Sequence, residues 1–206
     1  MVSVYLYVPN LIGYVRVVLA LIGYSYALSD YHVTISAYLV SQLLDAADGY
    51  AARVLGQSSK FGAVLDMVTD RASTTCLCVV LGRLYPDWIL GLVMLVMLDM
   101  FSHWYHMYAS LVQGSSSHKE VSNPFLRLYY WKPVLFVACA GTELWYLSLY
   151  LLVFTSGPVM MGVPAVKLML IVCTPISIFK QAANAVQMYV ACNVLVEMDN
   201  AERKAR

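Results

Sequence analysis

Apolar runs long enough to cross a bilayer alternate with short polar breaks along nearly the whole chain. The runs cover 11–28, 33–52, 62–81, 89–112, 133–154 and 163–196. A helix needs roughly 20 apolar residues to cross the hydrocarbon core, and in lipid its backbone polar groups must be satisfied internally. Six spanning helices therefore account for most of the sequence. The breaks are turn-like: Ser29-Asp30-Tyr31-His32, Gly56-Gln57-Ser58-Ser59-Lys60, the stretch 82–87 and the small loop 155–162. The connection 113–132 is longer, polar and biased toward basic residues. At the start, an apolar and aromatic stretch ends at Pro9-Asn10, which reads as a short segment lying in the membrane interface. The expected fold is an all-α integral membrane protein, a single domain over 1–206. It has six transmembrane helices, an N-terminal interfacial segment at 1–10 and a charged, frayed tail at 197–206.

Composition removes the soluble alternatives. Of 206 residues, 61% are hydrophobic and 12% charged, against about 25% charged in ordinary soluble domains. A formal net charge of +1 gives no electrostatic footprint for nucleic acid. Cys76, Cys78, Cys139, Cys173 and Cys192 lie inside apolar runs and read as small buried thiols. Residues 1–10 have neither a basic region nor a small-residue cleavage site, so no cleaved leader is expected. Charge does set an orientation. Arg53, Lys60, Arg71, Lys119, Arg127 and Lys132 flank one set of breaks, as do Arg203, Lys204 and Arg206 at the end. Only Arg83 and Lys167 flank the other set. The basic side, with both termini, is expected in the cytosol. Tyr5, Tyr7, Trp88, Tyr129, Tyr130 and Trp131 fall at span ends, as a membrane aromatic belt does. Arg16 is an exception inside the first span, where a charge must face polar groups or snorkel.

The chemistry concentrates in the hairpin between the second and third spans. Asp45 and Asp48 are three residues apart and Asp66 and Asp70 four apart, so each pair shares one helix face. The polar turn between them folds the two faces together near one membrane surface. Four carboxylates repel unless cations sit among them. Hard oxygen donors select Mg²⁺ or Mn²⁺, and four carboxylates suit two such ions about 3.5–4 Å apart. Gly49, Ala52 and Gly62 leave room for a bulky ligand, and Arg53 offers a fork for a phosphate. Metals, a phosphate grip and a small-residue cleft point to phosphoryl or phosphatidyl transfer.

Asp45, Asp48, Gly49, Ala52, Arg53, Gly62, Asp66 and Asp70 fit D-x-x-D-G-x-x-A-R-x8-G-x-x-x-D-x-x-x-D at every position. This pattern resembles the signature of the CDP-alcohol phosphotransferases. Tyr7 to Tyr14, Asp66-Met67 through Asp70-Arg71, Leu98-Asp99 through Ser102-His103-Trp104, Gly114 to Lys119 and Asn123 to Tyr130 resemble the eukaryotic branch that synthesises phosphatidylinositol. The resemblance implies CDP-diacylglycerol as donor, myo-inositol as acceptor, and phosphatidylinositol and CMP as products. It implies Asp45, Asp48, Asp66 and Asp70 as metal ligands, with Asp70 also the base. Asn10, Asp48, Gly49, Ala52, Arg53 and Gly62 would face the nucleotide. Gly13 stands where the family often has a hydroxyl residue, so that contact is not carried over. A homodimer in the endoplasmic reticulum membrane, with its site facing the cytosol, is also implied.

Acceptor recognition is read from the second half. Asp99, His103 and His106 share a face of the fourth span and suit a polyol or polar packing; a metal site is the other reading of that spacing. Lys180 in the sixth span either pairs with Glu143 in the fifth or enters the acceptor cavity. The segment 115–119 and Arg127 are expected to cap that cavity. The acceptor set is thus Asp99, His103, Lys119, Arg127 and Lys180. Two other functions compete: the same transfer onto glycerol 3-phosphate or serine, and divalent-cation transport through the acidic cluster. A non-catalytic scaffold leaves the four aspartates without a purpose.

Overall fold

The computed structural model describes residues 3–113, 123–160 and 162–205. Seven α-helices occur among them, with one short β-hairpin. The chain divides into two compact units, one ending at Pro86 and the other beginning at Asp87.

The first unit opens with a single 3-10 turn, Val4–Leu6, followed by α1 (Val8–Ser25), α2 (Tyr31–Val54) and α3 (Lys60–Leu84). Helix α1 starts three residues before the expected Leu11, because Pro9 sits in the first turn, where its missing N–H costs nothing. Asp30 caps α2 by accepting from His32 N at 2.9 Å and Val33 N at 3.4 Å. Hydroxyls stitch the helices together. Thr34 Oγ1 donates to Gly23 O at 2.9 Å, Ser41 Oγ to Arg16 O at 3.4 Å, and Tyr24 Oη to Ser73 O at 2.7 Å. Such bonds and small-residue contacts take the place of a hydrophobic driving force between helices in lipid. Gly56 closes the α2–α3 turn with φ 61°, a left-handed value that costs glycine little. Ser59 then caps α3 by accepting from Gly62 N at 2.9 Å.

The second unit contains α4 (Ile89–Gln113), α5 (Pro124–Tyr129), α6 (Lys132–Phe154), the hairpin β1 (Val159–Met160) and β2 (Val163–Pro164), and α7 (Ala165–Ala205). Helix α5 lies in the stretch expected as a polar connection. Asn123 starts it by accepting from Phe125 N at 3.0 Å and Leu126 N at 3.2 Å. Helices α6 and α7 approach closely at Gly141, where a Cβ would lie 2.6 Å from Ile176 Cγ2. The expected frayed tail is instead helical through Ala205. Its mix of Ala, Glu, Arg and Lys favours helix and carries α7 on without a break.

Among the described residues, four helical stretches are long and apolar enough to cross a membrane: Val8–Ser25, Pro86–Gln113, Lys132–Phe154 and Ala165–Ala205. Helices α2 and α3 have the length, at 24 and 25 residues, but carry the charged residues of the hairpin.

Candidate active site

The four aspartates converge on one side chain. Arg16, on α1, is 1% exposed and lies between α2 and α3. Its Nη1 sits 2.9 Å from Asp48 Oδ2 and 2.9 Å from Asp66 Oδ1. Its Nη2 sits 2.6 Å from Asp45 Oδ1 and 2.5 Å from Asp70 Oδ1. Each terminal nitrogen therefore joins one carboxylate from α2 to one from α3. Exposure rises outward from the buried guanidinium: the Asp48 side chain is 9% exposed, Asp70 30%, Asp45 38% and Asp66 50%. Asp70 is also reached by its neighbour, Arg71 Nη2 lying 3.6 Å from Asp70 Oδ2.

Ligand atoms of Asp45, Asp48 and Asp66 all lie within 4.8 Å of one another. Among the described residues this is the grouping that fits a metal ion. The donors are carboxylate oxygens, the set that hard divalent ions prefer. Even with Arg71 beside Asp70, two arginines oppose four acids, so the cluster has room in its charge balance for further cations. Asp70 shares Arg16 with the other three but falls outside the tightest grouping.

Beside the acids lies a cleft lined by Asn10, Gly13, Asp48, Gly49, Ala52, Arg53, Gln57, Ser59, Gly62 and Asp66, among others. All six residues expected to face the nucleotide are on its wall. Two residues of the cleft wall, Asn10 and Gln57, are tied down. Asn10, 1% exposed, donates from Nδ2 to Val4 O at 2.6 Å, which fastens the N-terminal turn to α1. Gln57 Oε1 accepts from Val8 N at 2.8 Å, which fastens the α2–α3 turn to the start of α1. Gly62 permits this closeness, because a Cβ there would lie 2.7 Å from Asn10 Oδ1 and 3.1 Å from Ser59 Oγ. Gly62→Ala is expected to lower stability by about 1–3 kcal/mol, the usual cost of overpacking. Thermal unfolding in micelles checks this; an unchanged midpoint would show that Asn10 yields freely.

The chain matches the model of the CDP-alcohol phosphatidyltransferase family over residues 6–197. The chain belongs to that family. It is 44% identical over 205 residues to the human CDP-diacylglycerol–inositol 3-phosphatidyltransferase, covering 98% of this chain and 96% of that one. It is 44% identical over 206 residues to the Saccharomyces cerevisiae enzyme of the same name, with coverages of 96% and 90%. It is 40% identical over 209 residues to a probable enzyme of that name from Arabidopsis thaliana, with coverages of 96% and 92%. No solved structure matches the chain. The CDP-alcohol phosphatidyltransferases use divalent metals, and the Asp45, Asp48 and Asp66 donor set can bind one.

In the second unit, three of the five expected acceptor residues of this family member come together. Asp99, on α4, is 7% exposed and Lys180, on α7, 5%. Lys180 Nζ lies 3.5 Å from Asp99 Oδ1. His103 Nδ1 lies 2.7 Å from Asp99 O and 3.5 Å from Asp99 Oδ1. Arg127 is exposed on α5 and forms no ion pair among the described residues. Lys119, with the rest of 115–119, lies outside the described residues. Asn184 is an addition that sequence reasoning missed. Fully buried, it donates from Nδ2 to Asp99 Oδ1 at 3.3 Å, and its Oδ1 has no hydrogen-bond partner among the described residues. Asn184 is four residues after Lys180, on the same face of α7, and that spacing was the available signal. Arg16 faces polar groups as expected, but its place among the aspartates was not foreseen; it lies three residues after Gly13 and six after Asn10, on the face that meets α3.

Proposed function

We propose that this chain joins CDP-diacylglycerol to myo-inositol, releasing phosphatidylinositol and CMP. Near-full-length similarity to enzymes named for that reaction supports it, as does family membership. The observation that carries it is the convergence of four carboxylates beside a small-residue cleft bearing Arg53. Asp45, Asp48, Asp66 and Asp70 would hold two Mg²⁺ or Mn²⁺ ions, whose charge would stabilise the negative charge that develops on the pyrophosphate. Asn10, Gly49, Ala52, Arg53 and Gly62 receive the cytidine nucleotide, Arg53 by gripping a phosphate. Asp70 takes the proton of the attacking inositol hydroxyl as the new O–P bond forms and the P–O bond to CMP breaks. Asp99, His103 and Lys180 provide the acceptor contacts, with Lys119 and Arg127 contributing from the segment between α4 and α6. A neutral polyol is selected by hydrogen bonds rather than by net charge.

The chain is read as a single domain of the family, over 1–206; the family match runs through both units. Helices α2 and α3 cross the membrane with the four apolar stretches, giving six spans. Both termini and the aspartates then face the cytosol, where nucleotide and Mg²⁺ are available. The enzyme resides in the endoplasmic reticulum membrane as a homodimer.

The test follows CMP release from purified protein in micelles with CDP-diacylglycerol and Mg²⁺ or Mn²⁺. Release is expected to require myo-inositol, to stop on addition of EDTA and to return on adding back the divalent ion. Release driven by glycerol 3-phosphate or serine would move the acceptor. No release with any alcohol from folded protein would end the transferase reading.

A further inference from the structure

We infer that Arg16 is the positioning residue of the metal site: it orients all four carboxylates from beneath and stays in place when the site is loaded. The inference rests on reading the aspartates as metal ligands. A charge buried in an apolar helix needs one counter-ion, and a single aspartate would provide it. Arg16 has four. Its two terminal nitrogens are spent entirely on carboxylates of α2 and α3, and its Nε has no hydrogen-bond partner among the described residues. The planar fork is what allows this, since it presents donors in fixed directions; a lysine ammonium has no such fork.

Two roles are open to a cation in this position. It could be a plug that incoming metal must expel, or a clamp that shapes the donor set. Three observations favour the clamp. Arg16 is the most buried member of the cluster, at 1% exposure, whereas Asp45, Asp66 and Asp70 are 30% exposed or more. Its closest approach to each carboxylate is to one oxygen, which leaves the second oxygen of Asp45, Asp48 and Asp66 for other partners, while that of Asp70 faces Arg71 at 3.6 Å. Its backbone is fixed as well, because Arg16 O accepts from Ser41 Oγ of α2. A ligating carboxylate generally needs such an outer partner to hold its orientation, and losing that partner costs about 10–100-fold in metal affinity or activity.

The test uses full-length Arg16→Lys and Arg16→Met in micelles, with Mn²⁺ binding read from the electron paramagnetic resonance signal of free Mn²⁺. Both variants are expected to bind Mn²⁺ more weakly, Arg16→Met by about 10–100-fold and Arg16→Lys by less. Saturating Mn²⁺ is expected to restore much of the turnover of Arg16→Lys, which a purely structural defect would not permit. If Arg16→Met fails to fold, Arg16→Lys carries the test. Unchanged or tighter Mn²⁺ binding by a folded variant would overturn the inference and make Arg16 a plug or a bystander. If the unsubstituted protein bound no Mn²⁺, the metal reading would fall and the inference with it; a normal result there confines any failure to Arg16.

Discussion

Asp70→Asn is expected to lower inositol-dependent CMP release by about 10²–10⁴-fold, the usual contribution of a positioned general base. The substitution keeps the shape of the side chain and removes its ability to take a proton. Asp45, Asp48 and Asp66 still form the close oxygen grouping without it, so Mn²⁺ binding is expected to persist. Arg16 loses one of four partners and Arg71 loses its 3.6 Å neighbour, neither of which leaves Arg16 uncompensated. The measurement is therefore double: rate of CMP release, and Mn²⁺ affinity, on the same preparation. A large fall in rate with metal affinity retained separates proton transfer from metal holding. Retained turnover would move the base elsewhere, and loss of both would make Asp70 chiefly a ligand.

Lys180→Met is expected to destabilise the protein by about 3–5 kcal/mol, the usual cost of removing one partner of a buried charge pair. Asp99, at 7% exposure, would lose the nearby ammonium while Asn184 and His103 stay beside it. The double variant Asp99→Asn with Lys180→Met is expected to recover a good part of the loss, because both charges are then gone. Thermal unfolding in micelles measures the two singles and the double, and the cycle isolates the coupling between them. Additive losses would show that the 3.5 Å approach carries no interaction. The same variants inform the acceptor proposal, where a raised KM for inositol in stable protein would mark Lys180 or Asp99 as a contact.

What the sequence revealed and what it hid differ in range. The hairpin was legible because everything that defines it is local: two pairs of aspartates at helical spacing around a polar turn. The bond from Asn10 to the N-terminal turn extends over only six residues, within reach of a local reading. Arg16 stood out as a charge in an apolar run, yet its partners lie 29 to 54 residues away on two other helices. No spacing rule links a residue to targets across three helices. Lys180 was legible as a buried charge, but its 3.5 Å approach to Asp99 was not, because it joins α7 to α4 and no spacing rule links the two. Helix α5 was missed because it is only six residues long, too short for periodicity, and its signal is the Asn123-Pro124 start. The end of α7 was misjudged for the opposite reason. Charge in 197–206 suggested solvent and fraying, while helix propensity decided the backbone.

The placement of Arg16 and the four aspartates within the first unit has a bearing on how the protein is made. All five residues precede Pro86. During synthesis, α1 and α2 emerge first and bring Arg16 with Asp45 and Asp48, one positive charge with two negative. Arrival of α3 adds Asp66 and Asp70 and completes the ring while the remaining chain is still at the ribosome for a time on the order of ten seconds. All members of the ring thus lie in the part of the chain that is made first, ahead of α4 to α7. Arginine supplies the positive charge at that stage, so the helices can assemble before the supply of divalent ions in the cell has any say in the matter.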